Sequence, residues 1–280
     1  MQVLKLISQG SEHLRNNGVR SHQLDSELLL SSLLKSQRES LLVDLNKEVS
    51  KEIIENYRNL IIRRSNKEPI AYILKKKEFW SKDFIVNRDT LIPRPETELL
   101  SQSVIDIFKN KKIFMLDIGT GTGCILLSVL GELNCSRGLG IDISKKAIDV
   151  ARTNSKMQNL SNRAKFFVRK FTQLYGYKFD LIVSNPPYIR NSEIKNLSDD
   201  IKKFEPKIAL DGGNDGLDVI KKVIYKSKTI LKKLGTLALE IGNGQHFKVS
   251  QILKDQGFRS RILVKDYQNN VRCILASLEK

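Results

Sequence analysis

Residues 113–123 read Ile113-Phe114-Met115-Leu116-Asp117-Ile118-Gly119-Thr120-Gly121-Thr122-Gly123. The first six are apolar except for Asp117, which predicts a buried strand. Three glycines at alternate positions follow, and the apolar run Cys124 to Leu130 then predicts a helix. In open α/β sheets, a strand, a glycine turn and a helix in succession form a ligand-binding corner. Glycine there permits a tight turn and close approach of backbone to ligand. A dinucleotide fingerprint would place its last glycine where Cys124 stands, so the spacing disfavours a nicotinamide oxidoreductase.

Outward from this stretch, strand and helix patterns alternate. Strands are predicted near 113–118, 138–142, 164–168, 179–183 and 235–241, and helices near 122–133, 144–158, 215–233 and 246–256. Such alternation implies a parallel sheet covered on both faces. Two final strands near 261–266 and 271–277 are joined by Gln268-Asn269-Asn270, too short for a helical crossover, so they pair antiparallel. Asp142 ends the second strand, 19 residues after Gly123. A carboxylate there can accept the hydroxyls of a ribose. The alternative role is a carboxylate at the start of the helix that follows Ser144.

The strand Phe179-Asp180-Leu181-Ile182-Val183 runs into Ser184-Asn185-Pro186-Pro187-Tyr188. Neither proline has an N–H to give to a ladder, so the chain leaves the sheet at Asn185. A rigid polar loop is thereby placed at the carboxyl end of a strand, where such sheets bind ligands. The Asn185 side-chain oxygen and the Pro186 carbonyl can accept the two N–H bonds of an amide or of an exocyclic amino group. Tyr188 can cover a planar group by stacking. Asn185, Pro186 and Tyr188 are the catalytic candidates, and no strong general base is evident.

Residues 1–75 read as several short amphipathic helices, a small bundle. Ser50 is the predicted cap of a helix from Lys51 to Arg64 with Ile53, Tyr57, Leu60 and Ile61 on one face. Leu24, Leu28, Leu29 and Leu33 give a second stripe, and Val3, Leu6, Ile7 and Leu14 a third. Residues 76–90 contain a predicted hairpin turning at Ser81-Lys82, with Trp80 as a packing anchor. Pro93 and Pro95 then exclude regular structure until a helix opens at Pro95 or Thr97. From local chemistry alone, Arg94 and Glu96 belong to a linker.

The chain carries 48 Lys+Arg against 31 Asp+Glu, a formal charge of +17. The first 75 residues hold 12 and 9 of these, so most of the excess lies beyond them. A basic surface suits an anionic partner, nucleic acid or acidic protein, but the lysines form no long block. Cys124, Cys135 and Cys273 are scattered and suggest neither a disulfide framework nor zinc, which fits a reducing cytoplasm. The three histidines are isolated, and no metal is expected. There is no signal-peptide arrangement at the N-terminus. The most apolar window, Ile113 to Leu130, contains Asp117 and three glycines, which argues against a membrane span.

The spacing D-x-G-x-G-x-G of Asp117 to Gly123 resembles the first motif of S-adenosylmethionine-dependent methyltransferases. The chain as a whole resembles the bacterial protein-(glutamine-N5) methyltransferases that modify class I peptide-chain release factors. The resemblance rests on Lys67-Glu68-Pro69-Ile70-Ala71-Tyr72, Glu78-Phe79-Trp80, Leu91-Ile92-Pro93-Arg94-Pro95-Glu96-Thr97-Glu98, the glycine loop and Ser184 to Tyr188. Phe204-Glu205-Pro206, Ala209 to Leu217 and Asp266-Tyr267 add to it. Asn-Pro-Pro-Tyr by itself is shared with adenine and guanine amino-group methyltransferases, and the segment from Ile92 to Thr97 narrows the choice.

The resemblance implies a Rossmann-like, seven-stranded methyltransferase domain (91–280), a hairpin linker (76–90) and an N-terminal helical domain (1–75) that helps hold the release factor. It implies a glutamine acceptor in a Gly-Gly-Gln motif, with Arg94, Glu96, Asn185, Pro186, Pro187 and Tyr188 toward the substrate. Gly119, Thr120, Gly121, Thr122, Gly123, Asp142, Lys170, Phe171 and Asn185 would hold S-adenosylmethionine. A monomer acting on protein, without nucleic acid or membrane, is expected. One departure stands out. The family usually has an acid and then an aromatic residue after the third strand, whereas this chain has Val168-Arg169-Lys170-Phe171.

Overall fold

In the computed structural model, which describes residues 1–279, five helices fill the first quarter of the chain. They are α1 (Val3–Asn16), α2 (His22–Leu33), α3 (Arg38–Val43), α4 (Lys51–Ser65) and α5 (Ile70–Leu74). Met1–Lys76 with Ser198–Phe204 make one compact unit, and Lys77–Leu197 with the chain from Glu205 onward make the other. Ser50 caps α4, its hydroxyl accepting from the N–H of Ile53 at 3.4 Å. The buried face of α4 is centred on Ile54, Tyr57 and Ile61.

The stripe on α2 differs from the hydropathy pattern. Leu24 is 44% exposed, while Leu29 and Leu30 are buried together with Asp25, Ser26 and Glu27. Pairing explains the shift. Arg64 Nε donates to Asp25 at 2.6 Å, Arg38 Nε donates to Glu27 at 2.6 Å, and the hydroxyls of Ser26 and Tyr57 lie 2.6 Å apart. Each buried carboxylate thus has a cation, so it can occupy a face that hydropathy alone assigns to leucine.

A hairpin of β1 (Lys76–Phe79) and β2 (Lys82–Ile85) follows, with all but its first residue in the second unit. Its turn is Trp80-Ser81, one residue earlier than expected. Both residues have left-handed φ, 56° and 53°, the geometry that matches strand twist in two-residue hairpins. The Trp80 backbone N–H donates to Glu98 at 2.8 Å and its indole N–H to Glu132 at 3.1 Å. Pro95 opens α6 (Pro95–Phe108) at its first helical position, where a missing N–H costs nothing.

Then follow β3 (Phe114–Ile118), α7 (Cys124–Glu132), β4 (Arg137–Asp142), α8 (Lys145–Met157), β5 (Ala164–Val168) and β6 (Phe179–Ser184). The short helices α9 (Asn191–Ile194) and α10 (Asp199–Phe204) precede α11 (Asp218–Ile230) and β7 (Leu231–Glu240). The chain ends with α12 (His246–Asp255), β8 (Phe258–Lys265) and β9 (Val271–Leu278). Seven strands form one sheet in the order β5-β4-β3-β6-β7-β9-β8. All neighbours are parallel except β7 with β9 and β8 with β9. The last strand therefore inserts beside β7 and leaves β8 on the edge. Leu100, Leu126 and Ile148 belong to the core cluster that holds Met115 and Val183 of the sheet. Ile220, Val223 and Val249 belong to the other cluster, with Leu116 and Leu239. Among the described residues no helix is long and apolar enough to cross a membrane.

Candidate active site

The order of β4, β3 and β6 creates the site. The chain winds outward from β3 to β4 and β5, then returns to place β6 on the other side of β3. Loops after β3 and β6 diverge at this reversal and leave a crevice at the carboxyl ends. Register aligns the three strand ends. Ile118 pairs with Ile141 of β4 and with Ser184 of β6. Gly119, Asp142 and Asn185, each one residue further along, therefore meet at one edge of the sheet. A buried bond from the Ser184 hydroxyl to the Ile118 carbonyl, 2.8 Å, ties two of these ends together.

Gly119, Gly121 and Gly123 have φ of 71°, 54° and 81°, which explains the alternate glycines. Gly119, Gly121, Asp142, Lys170, Phe171 and Asn185 all line one cavity of about 360 Å³. Pro186 and Pro187 line it too. Thr120, Thr122, Gly123, Tyr188, Arg94 and Glu96 are not among its lining residues. Thr120 and Thr122 are buried, and the Thr120 hydroxyl donates to Asp117 at 2.6 Å. These threonines hold the loop's shape from beneath.

Asp142 receives two backbone bonds, from Ser144 N at 2.9 Å and Gly121 N at 3.1 Å. It is thus both the helix-start carboxylate and a wall of the cavity. Burial pushes its carboxyl up from the ordinary range, and the two N–H groups pull it back. Burial raises Asp117 to about 7, and its Oδ1 has no hydrogen-bond partner. Arg169 and Lys170 are exposed, and both reach the cavity wall. Near them Ile143 and Phe171 supply apolar surface.

The loop after β6 is braced from behind. Asn185 Nδ2 donates to the Thr97 hydroxyl at 3.2 Å, and the Tyr188 hydroxyl donates to buried Glu240 at 3.3 Å. Gln245 Nε2 donates to the Tyr188 carbonyl at 3.0 Å. The segment Ala209 to Leu217 clamps the other side: Ile189 N donates to Leu210 O at 3.1 Å and Gly212 N to Ile189 O at 2.8 Å. A side chain at Gly216 would place its Cβ 2.5 Å from the Tyr188 carbonyl oxygen. Tyr188 is anchored at its hydroxyl and packs on the core beneath.

Arg94 does not line the cavity, and its guanidinium pairs with the buried Glu205. Glu96 is half-buried in the first turn of α6, close enough to Glu240 to push that carboxyl up. Leu91 and Pro206, from segments that carry the resemblance, also form the walls, and so do Thr90, Ile208 and Lys222, which no motif singled out. Thr90 and Ile208 lie beside those segments, and Lys222 on α11 gave no sequence signal.

Two family models match, the PrmC N-terminal domain over residues 5–74 and the methyltransferase small domain over residues 96–204. The release factor glutamine methyltransferase of Clostridium acetobutylicum is 38% identical across 99% of this chain and 98% of its own. That of Rhodospirillum rubrum is 36% identical across 97% and 84%. The fold is shared with the hMettl16 catalytic domain, solved in complex with the MAT2A 3'UTR hairpin 6, at TM-score 0.58 and 18% identity over 84% of this chain and 86% of that one. The protein is a methyltransferase whose cofactor is S-adenosylmethionine. The cavity fits that cofactor. Its glycine walls leave room for a ligand to approach the backbone closely, and the Asp142 carboxylate stands beside them. By sequence likeness along nearly its whole length, the chain belongs to the release factor glutamine methyltransferase family.

Proposed function

We propose that this enzyme methylates the side-chain amide nitrogen, N5, of the glutamine in the Gly-Gly-Gln motif of class I peptide-chain release factors. The observation that carries the reading is that Asn185 and Pro186 line the same cavity as Gly119, Gly121 and Asp142. The likeness to the release factor glutamine methyltransferases supports a glutamine rather than a base as the acceptor.

When bound, S-adenosylmethionine supplies an electrophilic methyl group on a sulfonium. The Gly119 and Gly121 backbone, with Asp142 accepting ribose hydroxyls, would hold it, and Ile143 and Phe171 would face its adenine. An amide nitrogen is a poor nucleophile because its lone pair is delocalised. Asn185 Oδ1 and the Pro186 carbonyl, accepting its two N–H bonds, turn that lone pair outward. The two prolines hold the loop, so little ordering is left for the substrate to induce. As the methyl passes to the amide nitrogen its bond to sulfur would break, leaving a neutral thioether, and one N–H proton would then go to solvent. The N-terminal helical unit would hold the release factor, in the cytoplasm.

The test is mass spectrometry of a purified release factor after incubation with the enzyme and cofactor. A single methyl on the Gly-Gly-Gln peptide is expected. Methyl found only on RNA or DNA would replace this reading with amino-group methylation of nucleic acid.

A further inference from the structure

We propose that Thr97 and Glu240 are positioning residues that set which end of the Asn185 side-chain amide faces the acceptor. The inference rests on the proposed role of Asn185 Oδ1 as an acceptor of the substrate N–H.

An asparagine amide has an oxygen that accepts and an NH₂ that donates, at nearly the same shape. Turned the wrong way, Asn185 would point N–H at N–H. The Thr97 hydroxyl is its partner, at 3.2 Å from Nδ2. A hydroxyl alone cannot choose between the two orientations, because it can accept from nitrogen or donate to oxygen equally well. The choice falls to whatever takes the hydroxyl's own hydrogen.

The neighbour able to draw that hydrogen is Glu240. It ends β7 and is 2% exposed. The Thr97 hydroxyl sits beside it and favours its charged form. Oε1 already accepts from Tyr188 on the same loop, while Oε2 has no partner at hydrogen-bonding length. An ionised carboxylate only accepts. It draws the Thr97 hydrogen, which leaves the hydroxyl an acceptor toward Asn185. Nδ2 must then face Thr97, and Oδ1 faces the cavity. Glu240 does not line the cavity, so it acts through its neighbours.

Burial raises Glu240 to about 7, and its surroundings are balanced. Arg272 on β9 favours the charged form, Glu96 on α6 opposes it, and the Tyr188 and Thr97 hydroxyls favour it. The Cys124 thiol on α7 and the Cys273 thiol on β9 also feel its charge. Once protonated, Glu240 can donate to Thr97. That frees the hydroxyl to donate to Asn185 and removes the bias. Methyl transfer should then fall as pH drops through the neutral range.

The test uses the full chain carrying Thr97→Val, Thr97→Ser or Glu240→Gln. Thr97→Val should lower kcat for a release factor by roughly 10- to 100-fold, as displaced reacting groups do, with KM and cofactor affinity little changed. Thr97→Ser should restore most of the rate, and Glu240→Gln should abolish the acid limb of the kcat profile. The Asn185 side-chain ¹⁵N–¹H resonance reads the same relay with no substrate present. It should shift in Thr97→Val and titrate with pH in the wild type only. A wild-type kcat in Thr97→Val, an equal loss in Thr97→Ser, or an unchanged Asn185 resonance overturns the inference. Failure of the wild type to methylate any release factor, with the resonance behaving as stated, overturns the acceptor assignment instead.

Discussion

Arg94 and Glu205, 111 residues apart in sequence, form an ion pair at 2.5 Å. The other Glu205 oxygen accepts from the backbone N–H of Ile92 at 3.2 Å. One buried carboxylate therefore pins the Ile92-Pro93-Arg94 turn to the segment that carries Pro206 and Ile208 along the cavity wall. Arg94 thus serves the shape of the site through Glu205.

Arg94→Ala should expose that dependence. Removing one partner of a buried pair weakens the compensation of the other's charge, which costs about 3–5 kcal/mol when both groups are buried. Arg94 is 31% exposed, so solvent offsets part of this and a loss of about 2 kcal/mol is expected. Glu205→Gln, which removes the charge and keeps the shape, should cost less. Urea unfolding of the three proteins at neutral pH gives the comparison, and equal midpoints for wild type and Arg94→Ala would contradict it.

Asp117 and Glu240 predict how stability varies with pH. Burial lifts both to about 7 from ordinary values of 3.8 and 4.5. A carboxyl raised in the folded state is more favourable to folding when protonated. Its contribution is complete below the unfolded value and is lost as pH rises through about 7. From these two groups the protein should lose stability between about pH 4 and 7, and no further above that. Denaturant midpoints across this range should show a shallower slope for Asp117→Asn than for wild type. Identical slopes would mean that Asp117 is ionised throughout.

Lys170 lines the cavity on an exposed stretch of chain, and the cofactor carries a net positive charge. Lys170→Glu should therefore tighten cofactor binding, by roughly two- to tenfold at low ionic strength, since an attraction replaces a repulsion across solvent. The gain should shrink as salt screens it. Calorimetric titration at low and high ionic strength reads both effects, and weaker binding in the variant would show that the lysine itself contacts the cofactor.

Gly216 has φ of 74°, and a Cβ there would meet the Tyr188 carbonyl at 2.5 Å. Gly216→Ala should cost about 1–3 kcal/mol for the backbone alone, with more for displacing the loop. Both the melting temperature and the methyl-transfer rate should fall. An active, fully stable variant would mean that the loop after β6 tolerates movement.

Much of the sheet could be read from local chemistry. Pure apolar runs such as Leu181-Ile182-Val183 mark buried strands, and three alternate glycines mark a turn that side chains cannot make. The α2 stripe could not be read in this way, because Asp25 and Glu27 are buried through Arg64 and Arg38 on other segments. The hairpin turn shifted by one residue because Trp80 adopts a left-handed φ that no local propensity suggests.

By itself the sequence determined the main strands and helices, the glycine loop, the place where β6 must end at Asn185, and the acid that closes β4. These follow from periodicity and from the backbone limits of glycine and proline, which act within a few residues. Tertiary structure alone decided that β9 lies between β7 and β8, and that Asn185 leans on Thr97 88 residues away. It also decided that Tyr188 answers to Glu240, 52 residues away. Register and burial across such distances depend on which strands become neighbours, and no short stretch of chain encodes that.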